Sequence, residues 1–178
     1  MKKSIILAAA CASLFTAAAT ADIRWDYVGA GYTDANLDGP YIEGSMRLDN
    51  NWVVDASFSA LSKHHYDVNV LQAGVKYLTG FRLDFSPKTQ TYVLAGFETQ
   101  FRDADKTGGY AGLGVRHPLT PQVELYSEAS YHTINDNHAS LAGGIAFYFS
   151  PDWAVRSNIA LNSNDVKNEF RFGVSYQF

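Results

Sequence analysis

His138 and Ser140 stand two positions apart. On a strand, residues i and i+2 share a face, so a base would lie beside a hydroxyl nucleophile. Such a pair becomes a hydrolytic centre only when a third, acidic group orients the base. No well-placed glutamate follows, and Asp152 belongs to the opposite end of its segment, so loop residues are the better reading of this pair. His64, His65, His132 and His138 all map to one end of the segments described below. Imidazoles at one level suit a transition metal, but these come from separate connectors without the spacing of a ligand set. A solvated rim is expected there, with no metal site and no cofactor. Asp34, Asp38, Asp103, Asp105, Asp136 and Asp165 also fall in connectors. They suit divalent cations shared with external phosphate groups, and they suit ordinary solvated loops equally well.

The denser set of chemical groups lies between apolar residues in strict alternation. Glu43, Arg47, Asp55, Gln72, Lys76, Glu98, Arg116, Glu124, Tyr126, Glu128, Arg156, Asn158 and Arg171 occupy one face of successive segments. The other face is free of charge: Val54, Ala56 and Phe58; Leu71, Ala73, Val75 and Tyr77; Val93, Ala95, Phe97 and Phe101; Leu113 and Val115; Val123, Leu125 and Ala129; Leu141, Ile145, Phe147 and Phe149; Val155, Ile159 and Leu161. A soluble sandwich would bury the apolar face, whereas a barrel in lipid turns it outward. In the barrel reading, Arg47, Lys76, Arg116, Arg156 and Arg171 are expected to pair with Glu43, Asp55, Glu98, Glu124 and Glu128. An unpaired buried charge is costly, and such pairs would fill the lumen. Inward glycines (Gly74, Gly96, Gly112, Gly114, Gly144, Gly173) would make room for Arg and Tyr.

Alternating segments separated by turn-rich stretches are the signature of many-stranded β structure. Strands are expected near 23–33, 40–49, 52–60, 68–79, 90–101, 109–118, 122–133, 139–150, 152–162 and 168–178. The fold class is therefore all-β: a closed antiparallel up-and-down transmembrane barrel of ten strands, or eight if two segments are not strands. Residues 49–51, 118–121 and 150–152 read as tight turns, and 34–39, 61–67, 102–108, 133–138 and 162–167 as longer loops. Residues 80–89 are long for a turn, and strand four could run on to Phe85. Trp25, Trp52 and Trp153 each open an outward-running strand, which would set them at one membrane interface as an aromatic girdle.

The ends of the chain separate lipid from water as the solvent. Lys2 and Lys3 precede an apolar run over 5–15 and small residues at Ala19 and Ala21. This is a secretory signal peptide, 1–21, cut between Ala21 and Asp22; the run is too short for a spanning helix. Cys11, the one cysteine, lacks the residue that a lipoprotein cleavage box prefers before it and reads as part of the signal. The barrel domain is then 22–178. Removing two of the fourteen basic residues and none of the eighteen acidic ones moves the net charge from −4 to −6, which argues against nucleic acid as a partner. At the other end, Phe170, Phe172, Val174, Tyr176 and Phe178 alternate with Arg171, Gly173, Ser175 and Gln177.

A C-terminal strand ending in Phe resembles the closing strand of bacterial outer-membrane barrels, which the barrel-insertion machinery recognises. With residues 19–21 and the Tyr27-Val-Gly-Ala-Gly-Tyr32 opening strand, the mature chain resembles the small outer-membrane barrels of the OmpA/OmpX transmembrane type, grouped as porin-like or opacity-like. The loops are shorter than those of adhesins of this type. His138-Ala-Ser140 is also similar to the His-x-Ser pair of the lipid A 3-O-deacylase family, but Ala139 and Leu141 replace that family's aromatic and Asn. The resemblance implies a monomeric protein of the cell outer membrane, with membrane lipid, lipopolysaccharide and the insertion machinery as partners. Its expected role is non-enzymatic, in envelope integrity or surface interaction. A narrow channel for small solutes is the alternative, and a lipid A-modifying enzyme a third.

Overall fold

A computed structural model describes residues 23–63, 66–81, 88–101, 105–134, 137–164 and 166–178. The expected signal peptide and residues His64, His65, Asp103, Asp136 and Asp165 lie outside the described residues, as does the continuation of strand four to Phe85. The strands are β1 (Tyr27–Asp34), β2 (Gly39–Arg47), β3 (Trp52–Lys63), β4 (Tyr66–Leu78), β5 (Gln90–Phe101), β6 (Lys106–Thr120), β7 (Val123–His132), β8 (His138–Tyr148), β9 (Trp153–Asn162) and β10 (Glu169–Gln177). Each pairs antiparallel with its sequence neighbours, and β1 pairs with β10, from Tyr27 against Gln177 to Asp34 against Phe170. The result is a closed ten-stranded up-and-down barrel, which leaves no sheet edge unpaired.

The three tight turns share one local device: a side-chain oxygen accepts the backbone N–H groups of the residues that restart the next strand. Asp49 Oδ1 accepts from Asn51 (2.7 Å) and Trp52 (2.9 Å). Thr120 Oγ1 accepts from Gln122 (3.2 Å) and Val123 (3.0 Å). Ser150 Oγ accepts from Asp152 (3.3 Å) and Trp153 (3.1 Å). These turns, residues 23–26 and Phe178 share one end of the barrel, called here the turn end; the opposite end is the loop end.

Several boundaries differ from the sequence expectation. β3 runs to Lys63 and β4 starts at Tyr66, with these two residues paired, so the longer loop expected over 61–67 is mostly strand, and β6 starts at Lys106 inside the loop expected over 102–108. β6 runs through Pro118 to Thr120, with a register shift between those two residues. A bulge accommodates a residue without an N–H, so the proline sits inside the strand and the turn shrinks to 121–122. β1 starts at Tyr27 rather than at 23, and the residues ahead of it enter the barrel.

Pleating sends alternate residues in and out. Val28, Ile42, Phe58, Val93, Phe97, Leu113, Leu141, Ile159 and Phe172 are among the exposed outward side chains, and together they make an apolar belt suited to hydrocarbon. The inward set holds charges, tyrosines and glycines. Tyr110 lies across Gly74 and Gly96: a Cβ on Gly96 would come within 2.5 Å of the Tyr110 hydroxyl. Here the missing side chain is what lets an aromatic ring lie flat on the barrel wall.

Candidate functional site: the barrel lumen

Interior groups are the natural place to look for chemistry, because the strands hold them at fixed register on a rigid wall. At the middle, Lys76 on β4 reaches Asp55 on β3 (3.6 Å) and Glu128 on β7 (3.7 Å). The Tyr92 hydroxyl on β5 donates to the same Glu128 (3.1 Å). Since β4 and β7 are not neighbours, these contacts form a strut across the lumen. Beside it lies a polar cavity of about 170 Å³, walled in part by Tyr27, Glu43, Arg156 and Asn158. Arg156 donates from Nε to Ser175 (3.0 Å) and stacks its guanidinium 3.8 Å over the Tyr27 ring. Its Nη2 and Asn158 Oδ1 have no protein partner, and the cavity has room for several waters to satisfy them.

Toward the turn end, Arg116 and Glu124 form an ion pair at the end of the β6–β7 hairpin. Both are nearly sealed from solvent, at 4% and 2% exposure. The Tyr148 hydroxyl donates to the second Glu124 oxygen (3.0 Å), and Arg116 Nη2 donates to the Arg24 carbonyl (3.0 Å). At the loop end, Glu98 accepts from Gln72 Nε2 (2.8 Å) and lies 3.5 Å from His132 Nδ1. The His132 ring is stacked between Tyr110 (5.3 Å) and His138 (4.9 Å).

Several expectations need correction. Arg171 pairs with Glu169, not with any of the five acids named from sequence. Alternate residues on one strand face are about 6.6 Å apart, so its same-strand neighbour is closer than Glu43, which sits on β2 beyond β1. Glu98 meets His132 in place of a lysine or arginine. Among the described residues Glu43, Arg47 and Arg156 form no ion pair; Arg47 instead offers its backbone N–H to Asp26 Oδ1 (2.6 Å). His132 and His138 are not a solvated rim, because both lie on inward positions and His138 is buried.

The aromatic set is also divided. Trp52 and Trp153 project outward at the turn end, edge-on to Tyr77 (5.0 Å) and Tyr176 (5.2 Å), their register partners on adjacent strands. Trp25 does not join them: it is 3% exposed and points into the lumen. Its odd number puts it in phase with Tyr27 and Thr33, which face inward, whereas Trp52 and Trp153 are in phase with outward Val54 and Val155. The C-terminal side chains Phe170, Phe172, Val174, Tyr176 and Phe178 are all exposed on the outer surface.

His138 and Ser140 share the inward face of β8, and Ser140 is opposite Ser130. Ser130 Oγ lies 3.0 Å from His132 Nε2, so serine, imidazole and the Glu98 carboxylate follow one another. An acyl-transfer centre needs donors preset for the oxyanion, and the backbone N–H groups beside these residues are engaged in strand pairing.

Comparison with known proteins agrees with the architecture. The family model described as "Outer membrane protein beta-barrel domain" matches residues 5–178. Among solved structures, the KdgM porin is similar at TM-score 0.54 and 9% identity, covering 85% of this chain and 99% of its own. The same porin in complex with disordered oligogalacturonate gives TM-score 0.53 at 10% identity, with the same coverage. The translocator domain of the autotransporter NalP from Neisseria meningitidis gives TM-score 0.50 at 13% identity, covering 99% of this chain and 95% of its own. At such identities the likeness is one of fold. No curated protein sequence matches the chain.

Proposed function

The chain belongs to the outer-membrane protein β-barrel family and is a protein of the outer membrane; from that premise we propose that it is a closed-lumen barrel of non-enzymatic type, acting in envelope integrity or surface interaction through its outer face and loop end. The observation that carries this reading is the strut of Lys76 with Asp55 and Glu128 across the middle of the lumen. Contacts above and below support it. The Glu98–His132 contact and the stacked rings of Tyr110, His132 and His138 crowd the loop end. The Arg116–Glu124 pair and an apolar cluster crowd the turn end. A barrel of about eight strands is filled by its own side chains, and open pores need about sixteen; ten strands lie near the filled end of that range, and the cavity beside the strut is only about 170 Å³.

In this reading the precursor is exported, cut after Ala21, and delivered to the insertion machinery by its terminal aromatic strand. It then stands as a monomer among lipid and lipopolysaccharide with the turn end in the periplasm. The refolded protein in a planar bilayer is expected to give no conductance steps above background. Discrete steps would overturn the closed lumen and favour the narrow solute channel. Lipid A mass spectra are expected to be identical for the parent, Ser140→Ala and Ser130→Ala; a mass change that either substitution abolishes would overturn the non-enzymatic reading.

A further inference from the structure

Residues 23–26, Ile-Arg-Trp-Asp, precede the first strand, and the barrel walls hold every one of them. Ile23 and Trp25 are buried, and they pack in one apolar cluster with Val53, Leu78, Tyr92 and Leu94, inward residues from the turn-end halves of β3, β4 and β5. The indole N–H of Trp25 donates to Gln90 Oε1 (2.8 Å), its ring meets Tyr92 edge-on (5.4 Å), and the Arg116 guanidinium lies 4.2 Å over its face. Arg24 offers its carbonyl to Arg116 and sets its guanidinium 5.3 Å from the Tyr148 ring centre. Asp26 accepts the backbone N–H of Arg47. Tethers thus reach β2, β5, β6 and β8, around most of the circumference, and Trp25 is part of the wall of the central cavity.

A tetrapeptide outside the strand ladder, at the chain end expected after signal cleavage, normally frays. Here its one large aromatic satisfies both its ring and its N–H inside the barrel, and its flanking residues satisfy the Arg116 guanidinium on β6 and the Arg47 N–H on β2. Inward Val53, Leu78 and Leu94 are out of place in an aqueous lumen; with Tyr92 they form an apolar socket at the turn end. We propose that residues 23–26 are an internal plug that seals the turn end of the lumen, with Trp25 as the stopper and the Val53–Leu78–Tyr92–Leu94 socket, Gln90 and Arg116 as its seat. The inference rests on the closed-lumen reading and assigns the seal at this end to a segment that is not part of the barrel wall.

The test uses Ser45, a buried inward residue that lines the central cavity. Protein beginning at Asp22 lacks Cys11, so Ser45→Cys introduces a unique thiol. Its rate of reaction with a charged methanethiosulfonate reagent is measured on the heat-modifiable, folded band, beside Asn50→Cys in an exposed turn. Modification of a buried thiol requires an opening, so the Ser45→Cys rate is expected to be slow. It should rise about tenfold or more when Trp25→Ala is added or when residues 23–26 are deleted. Equal, slow rates with and without the segment would overturn the plug while the closed lumen stands. A parent rate matching Asn50→Cys would overturn the closed lumen and the seal with it. Iodide quenching of Trp25 in the Trp52→Phe, Trp153→Phe barrel, which keeps the plug intact, should be far weaker than for a free tryptophan analogue; equal quenching would overturn the stopper.

Discussion

Among the described residues Glu124 is the most deeply buried carboxylate, at 2% exposure, and its Arg116 partner is 4% exposed. Replacing Glu124 by Ala removes the ion pair and the acceptor of the Tyr148 hydroxyl. Arg116 would keep its charge with only the Arg24 carbonyl and the Trp25 ring face to hold it. An abandoned buried partner of this kind costs roughly 3–5 kcal/mol, because the desolvation of the remaining charge is no longer offset. Removing both charges with Arg116→Met and Glu124→Leu leaves no uncompensated ion, and apolar replacement of a buried pair is often neutral or stabilising. The double variant is therefore expected to be more stable than Glu124→Ala alone. The assay is equilibrium urea unfolding from lipid vesicles, followed by tryptophan fluorescence, for parent, both singles and the double. If Glu124→Ala falls within about 1 kcal/mol of the parent, the range of solvent-screened pairs, water reaches this pair and the reasoning about a dry turn end fails.

Ala95 points outward at the middle of β5 beside exposed Val93 and Phe97; Ala95→Arg should cost about 2–4 kcal/mol in vesicle unfolding, and a cost near zero would place that face away from hydrocarbon. Brominated acyl chains should quench barrels retaining only Trp52 or only Trp153 strongly and a barrel retaining only Trp25 weakly, since the first two are about half exposed on the outer wall (43% and 44%) and the third is internal; equal quenching of all three would refute the inward placement. Deleting Phe178 should slow insertion by the assembly machinery while leaving unassisted refolding into detergent nearly unchanged, and equal slowing of both would make the terminal residue structural and not a signal.

Face and strand number are legible in this sequence because both depend on a period of two and on turn chemistry, which are local. Asp49 and Ser150 mark turns by what a short polar side chain does to the next two N–H groups, and no distant contact is needed. The partner of each inward charge is not local. Lys76 and Arg171 swing on long stems over a wall whose curvature and stagger the sequence does not state, so neither the cross-lumen choice of Glu128 nor the same-strand choice of Glu169 follows from alternation. Trp25 lies between these extremes. Its parity already sets it with Tyr27 and Thr33 on the inner face, so counting residues from the first strand separates it from Trp52 and Trp153, whereas grouping tryptophans by type does not. The same count moves His132 into line with Glu124 and Glu128 and off the rim. Residue type states what a side chain tolerates; in a barrel, phase states which solvent it meets, and where the two conflict, as for an indole on a polar inner face, the structure needs a local apolar socket. Val53, Leu78 and Leu94 on inward positions are that socket's trace in the sequence.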